Sequence, residues 1–136
     1  MQVRKIMTEG VRCIPPETTL QDAARQMRDL DVGPLPICDQ DRLTGVLTDR
    51  DITIRTIAHS KNPLSMFAGE VMTTGPITVR EDASFKEALD AMEAAQIRRI
   101  LVVDKDGACC GIVSQADIAL KADEHETAVL VKDVSA

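Results

Sequence analysis

Two hydroxyl–carboxylate pairs are the residues of this chain best placed to do chemistry. Thr48 and Asp51, and again Ser114 and Asp117, stand three positions apart. Each pair follows a glycine and an apolar run, Gly45-Val46-Leu47 and Gly111-Ile112-Val113. With that spacing at a helix start, the two side chains have two uses. They can cap the helix, the hydroxyl accepting from a backbone amide and the carboxylate complementing the macrodipole. They can also meet a ligand, the carboxylate as a charged acceptor and the hydroxyl as a donor or acceptor. A pair that returns in the same context suggests two related binding sites.

The return is part of a longer duplication. Ile6-Met7-Thr8-Glu9-Gly10 recurs as Val71-Met72-Thr73-Thr74-Gly75, 65 residues later. The register holds through Ala23/Ala88, Met27/Met92, Val32/Ile97 and Asp39/Asp104, and after one inserted residue through Gly45/Gly111 and Asp51/Asp117. Two long copies are a duplicated small domain rather than a solenoid, which needs at least three units. Each copy is near the size at which a lone core is marginal, so the copies are expected to share a core or interface.

The elements that must position the pairs are legible from hydropathy. Val3, Ile6 and Met7 suit a short entry turn, and Val11-Arg12-Cys13-Ile14 reads as a strand stopped by Pro15-Pro16. Leu20, Ala23, Ala24, Met27 and Leu30 recur at helical spacing, with Thr18 and Gln21 as a capping box. Val32 to Cys38 is extended, Asp39 to Arg42 a turn, and Leu43 to Leu47 a strand. Thr48-Asp49 then opens a helix carrying Ile52, Ile54, Ile57 and Ala58. The second copy repeats this: strand Pro76 to Val79, helix capped by Ser84 and Glu87, strand Ile100 to Val103, turn Asp104 to Gly107, strand Gly111 to Val113, then a helix opened by Ser114. The result is two β-α-β-β-α units in an α/β (α+β) class. The boundaries expected are 1–62 for the first repeat and 63–122 for the second, with 123–136 as a tail that can form a docking helix.

Composition narrows the function classes. The 136 residues carry a net charge of −6, which opposes general attraction to nucleic acid. Two Phe and no Trp or Tyr leave no stacking platform for single strands. No apolar run approaches the roughly 20 residues of a membrane span, and the N-terminus lacks a secretory apolar region. A cytoplasmic protein is the expectation. The two histidines, His59 and His125, sit beside no candidate nucleophile. No Walker loop, GxGxxG or CxxC occurs, so neither an enzyme nor a metal centre is indicated. The four cysteines are expected as thiols, mostly buried.

The motif Gly-apolar-apolar-Thr/Ser-x-x-Asp, present twice, together with Val32-Gly33-Pro34-Leu35-Pro36-Ile37 and Ile97-Arg98-Arg99-Ile100-Leu101-Val102-Val103-Asp104, resembles the CBS domain. The whole of Val3 to Leu120 is similar to a tandem CBS pair, or Bateman module, and to small stand-alone bacterial pairs of the stress or hypoxic response type. That resemblance implies copies related by a pseudo-twofold axis and two clefts for adenosine-containing ligands. The Asp would accept from ribose hydroxyls, and the Thr or Ser would meet phosphate. It further implies composite clefts: Thr48, Asp51 and Arg50 with Ile77, Thr78, Arg98 and Arg99 in one, and Ser114 and Asp117 with Cys13, Ile14, Val32, Gly33 and Pro34 in the other. The arginines make the first the expected site of a phosphorylated ligand.

The function expected is a non-enzymatic sensor of AMP, ADP, ATP or an S-adenosylmethionine-like metabolite. It requires no cofactor, works as a homodimer through the apolar helices after Asp51 and Asp117, and acts on an unknown protein partner in trans. The family fold also brings Cys13 and Cys38 close, making them the one pair expected to join under oxidation. Two competing readings are a redox- or metal-responsive structural protein and a ligand-independent scaffold.

Overall fold

The computed structural model describes residues 1–121. The tail expected over 123–136, with His125, lies outside the described residues. The element order is a 3-10 turn (Val3–Lys5), β1 (Thr8–Glu9), α1 (Leu20–Leu30), β2 (Leu35–Asp39), β3 (Arg42–Leu47), α2 (Asp49–Arg55), 3-10 turns Ile57–His59 and Pro63–Ser65, α3 (Ala68–Val71), β4 (Thr73–Thr74), β5 (Thr78–Arg80), α4 (Phe85–Ala95), β6 (Arg99–Val103) and β7 (Cys109–Ser114). Helix follows over 115–121. The mixed α/β class is as the sequence implies.

Local chemistry fixes most boundaries. Ser84 caps α4 as expected, its hydroxyl accepting from the Glu87 amide at 3.2 Å. In α1 the cap moves one residue from Thr18: the Thr19 hydroxyl accepts from the Asp22 amide at 3.1 Å. Leu20, Ala23 and Met27 then face the core. The β2–β3 turn places Gln40 and Asp41 at φ 51° and 64°, the paired left-handed residues of a tight hairpin. The helix expected to carry Ile52 through Ala58 stops at Arg55, and Ile57 and Ala58 belong to the following 3-10 turn.

Two compact units form, and they cut across the expected boundaries 1–62 and 63–122. One holds Met1–Glu9, Ile77–Lys105 and, among the described residues, 110–121; the other holds Gly10–Pro76 with Asp106–Cys109. Each unit is therefore built largely from one repeat but takes its entry segment from in front of the other. In the second-repeat unit, β1 joins the sheet β1-β7-β6-β5. Val3 and Ile6 enter its core with Val79, Met92, Ile100, Val102, Val113 and Ile118. In the first-repeat unit, β4 joins β2-β3-β4, and Ala68 and Val71 pack with Ile14, Leu20, Met27, Leu35, Ile37 and Leu47.

This exchange explains two repeated motif residues, Met and Gly. A Cβ at Gly45 would lie 2.5 Å from Met72 Sδ and 2.9 Å from the Thr73 carbonyl oxygen. At Gly111 the same distances, to Met7 Sδ and the Thr8 carbonyl oxygen, are 2.7 and 2.9 Å. The glycine is the hollow into which the entry segment of the same unit seats. Gly45→Ala and Gly111→Ala should each destabilise the protein by about 1–3 kcal/mol, the range for overpacking. Adding Met72→Ala should only partly restore Gly45→Ala, because the backbone oxygen remains; full recovery of the urea midpoint would contradict this packing.

The first strand of the first repeat differs from expectation. Val11 to Ile14 forms only one parallel bridge, Ile14 to Ile37. Its counterpart β5 pairs with β6 over three residues, Thr78 to Leu101 through Arg80 to Val103. The Glu81 amide extends that ladder to the Val103 carbonyl at 2.9 Å. Pro16 occupies the equivalent position in the first repeat and has no N–H to give. Beside the shortened ladder, Cys13 and Cys38 are joined as a disulfide, their Cα atoms 5.7 Å apart. The pair expected to join under oxidation is the one that is joined. The shared bridge Ile14–Ile37 brings the two cysteines within disulfide range.

Candidate functional site

Both hydroxyl–carboxylate pairs form closed capping boxes. The Thr48 hydroxyl accepts from the Asp51 amide at 3.0 Å, and Asp51 Oδ2 accepts from the Thr48 amide at 3.1 Å. Ser114 and Asp117 repeat the arrangement at 3.0 and 3.2 Å. The box uses part of what the pair offers. An ionised carboxylate presents roughly four lone-pair positions, and only one contact is consumed by the box. A hydroxyl that accepts an amide hydrogen keeps its own proton to donate. The capping box thus fixes both rotamers and leaves a partly buried acceptor beside a donor. Asp51 is held further by Arg55, whose Nη2 stands 3.8 Å from Oδ1. Arg55 Nη1 is itself tied to the Val71 carbonyl at 2.8 Å.

The units gather the remaining candidates by repeat. In the first-repeat unit, Thr48, Arg50 and Asp51 accompany Cys13, Ile14, Val32, Gly33 and Pro34. Gly33 lies over the start of α2, where a Cβ would stand 3.4 Å from Asp49 Oδ1. Ile14 is buried, whereas Val32 is exposed. In the second-repeat unit, Ser114 and Asp117 accompany Ile77, Thr78, Arg98 and Arg99. The Gln115 amide donates to the Arg98 carbonyl at 2.9 Å. The arginine pair therefore emerges next to the Ser114–Asp117 box, with both side chains in solvent. Sequence reasoning did not single out Arg55, or the hydrogen bond that sets Arg98 against the box. The first carries no repeated signal, and the second is a main-chain contact that no side-chain pattern announces.

Among the described residues, no group of three or more His, Cys, Asp or Glu is arranged to hold a metal ion. No described helix is long and apolar enough to cross a membrane.

Comparison with known proteins identifies the family. The CBS domain family model matches twice, over residues 3–55 and 68–123. The chain is 43% identical over 132 residues to hypoxic response protein 1 of Mycobacterium tuberculosis, covering 96% of this chain and 92% of that one. A crystal structure of Hypoxic Response Protein I with two coordinated zinc ions superposes with a TM-score of 0.78 at 44% identity, covering 88% of this chain and 97% of the other. CBSX2 in complex with AMP superposes at 0.76 and 25% identity, covering 92% and 98%. The CBS pair of MJ0100 with 5′-methylthioadenosine and S-adenosylmethionine superposes at 0.80 and 25% identity, with the same coverage.

Proposed function

The chain belongs to the CBS-domain family as a tandem pair, and on that premise we propose that it is a non-enzymatic cytoplasmic sensor of an adenosyl ligand acting on a protein partner in trans. The observation that carries this reading is the duplicated capping box with its spare carboxylate acceptor. The adenosyl ligands of CBSX2 and MJ0100 supply the ligand class. Cys13, Ile14 and Val32 to Pro34 are proposed to line the adenine of a ligand held by Thr48 and Asp51 of the same unit. The exposed Ile54, Ile57 and Leu120 support a homodimer through the segments after Asp51 and Asp117.

Two assignments compete for the arginines. The family resemblance groups them with Thr48 and Asp51; the Gln115–Arg98 hydrogen bond favours Ser114 and Asp117. Calorimetric titration with AMP separates them. Arg99→Ala should weaken AMP by about 1.5–3 kcal/mol, the range for a hydrogen bond to a charged group, and weaken adenosine much less. Under the favoured assignment Asp117→Ala matches that loss and Asp51→Ala spares the same site. The reverse pattern returns the phosphate to the Thr48–Asp51 pair, and a wild type that binds no adenosyl compound rejects the sensor.

A further inference from the structure

We propose that Cys13–Cys38 is a redox-controlled staple: it replaces strand pairing that Pro16 and Pro36 forbid, and its reduction loosens the Cys13–Ile14 segment and weakens adenosyl binding. The last part rests on the function proposed above, in which Cys13 and Ile14 line the ligand.

The internal duplication supplies the control. In the second repeat, the strand carrying Thr78 and Val79 is held by three paired residues and by the Glu81 amide on Val103. Thr78 and Val103 are the counterparts of Cys13 and Cys38, and no cysteine is needed there. In the first repeat the equivalent ladder is reduced to two hydrogen bonds. The Ile14 amide donates to Pro36, and the Cys38 amide to Ile14, both at 3.0 Å. The ladder cannot lengthen, because Pro16 and Pro36, whose amides would continue it at either end, carry no donor. A covalent link sits where the hydrogen bonds run out. Both cysteines are only half-buried, so a thiolate can reach the bond.

The chemistry is thiol–disulfide exchange with a dithiol reductant. One thiolate of the reductant attacks a cysteine sulfur, forming a mixed disulfide; the Cys13–Cys38 bond breaks and the other cysteine leaves as thiolate and takes a proton. The second thiol of the reductant then closes its own disulfide and expels the first cysteine, which is protonated in turn. Two electrons and two protons pass from the dithiol to the pair. The reduced segment keeps its two hydrogen bonds but loses the link that holds them in register.

Hydrogen exchange of the full chain, oxidised and then reduced with dithiothreitol, tests the staple. The Ile14 and Cys38 amides should exchange at least tenfold faster after reduction, while Val102 and Val103 in the second-repeat unit should not change. Cys13→Ser/Cys38→Ser should behave as the reduced form under either condition. Equal protection in both states overturns the staple. AMP titration of the same two states in an Asp117→Ala background, which leaves the Thr48–Asp51 site in the unit of Cys13, tests the coupling, with at least a fivefold weaker affinity expected on reduction. Faster exchange with unchanged affinity overturns the coupling and leaves the sensor reading standing. If the wild type binds AMP in neither state, the sensor reading fails and takes the coupling with it; if only the Asp117→Ala variant fails to bind, the coupling falls alone; in both cases the exchange data decide the staple.

Discussion

Deletion of residues 1–9 is expected to unfold the second-repeat unit rather than the first. Val3 is fully buried and Ile6 nearly so, both in the core built on Met92 and Val102. Burying an aliphatic side chain of that size contributes roughly 1.5–3 kcal/mol, so losing both removes about 3–6 kcal/mol. Backbone contacts go as well: the Val3 amide to Ala83 at 2.8 Å, Arg4 to Glu81 at 2.9 Å and Phe85 to Met1 at 3.0 Å. The edge pairing of Thr8 with Ile112 is lost too. Against a total stability of about 5–15 kcal/mol, that is decisive. Native-state hydrogen exchange should show protection collapsing in β5, β6 and β7 while α1, β2 and β3 hold. Collapse confined to residues 10–62 would contradict the exchanged entry segments.

Replacing both Cys13 and Cys38 with serine should destabilise the protein by about 3–4 kcal/mol. The link spans 25 positions and encloses α1. Loop closure of that length in the unfolded chain accounts for a stabilisation of this size. The cysteines are half-buried, so the substitution itself leaves no large cavity. Urea unfolding of the oxidised wild type against the double variant measures the difference. Coincident midpoints would mean the link does not restrain the unfolded chain as argued.

The sequence carried the elements more fully than their partnership. Helices α1 and α4 were legible because Ala23 and Met27, and Ala88 and Met92, recur at helical spacing and face the core. The hydroxyl–carboxylate pairs were legible because they repeat. Their capping role and their candidate binding role are compatible, since the box leaves acceptor capacity on the carboxylate. The entry-segment exchange was not legible. Hydropathy reports that Val3 and Ile6 are buried, but not against which repeat. A signal did exist: the repeated Met-Thr of the entry segment and the repeated Gly of the strand are coupled, because Met72 fills the space over Gly45. The strand expected at Val11 to Ile14 failed for a reason also printed in the sequence. Pro16 has no N–H to carry the ladder on to Cys38, and Pro36 none to carry it back to Arg12.

Native mass spectrometry of freshly purified, oxidised protein, followed by denaturing analysis of whatever is released, tests the central claim most directly. The sensor reading predicts an adenosyl compound retained by the native protein, or taken up on addition of AMP or S-adenosylmethionine. It also predicts that the retained species is lost when Asp51 and Asp117 are both replaced by alanine. A native mass that carries no such compound, and does not change when either is added, would contradict it and leave the ligand-independent scaffold as the better account.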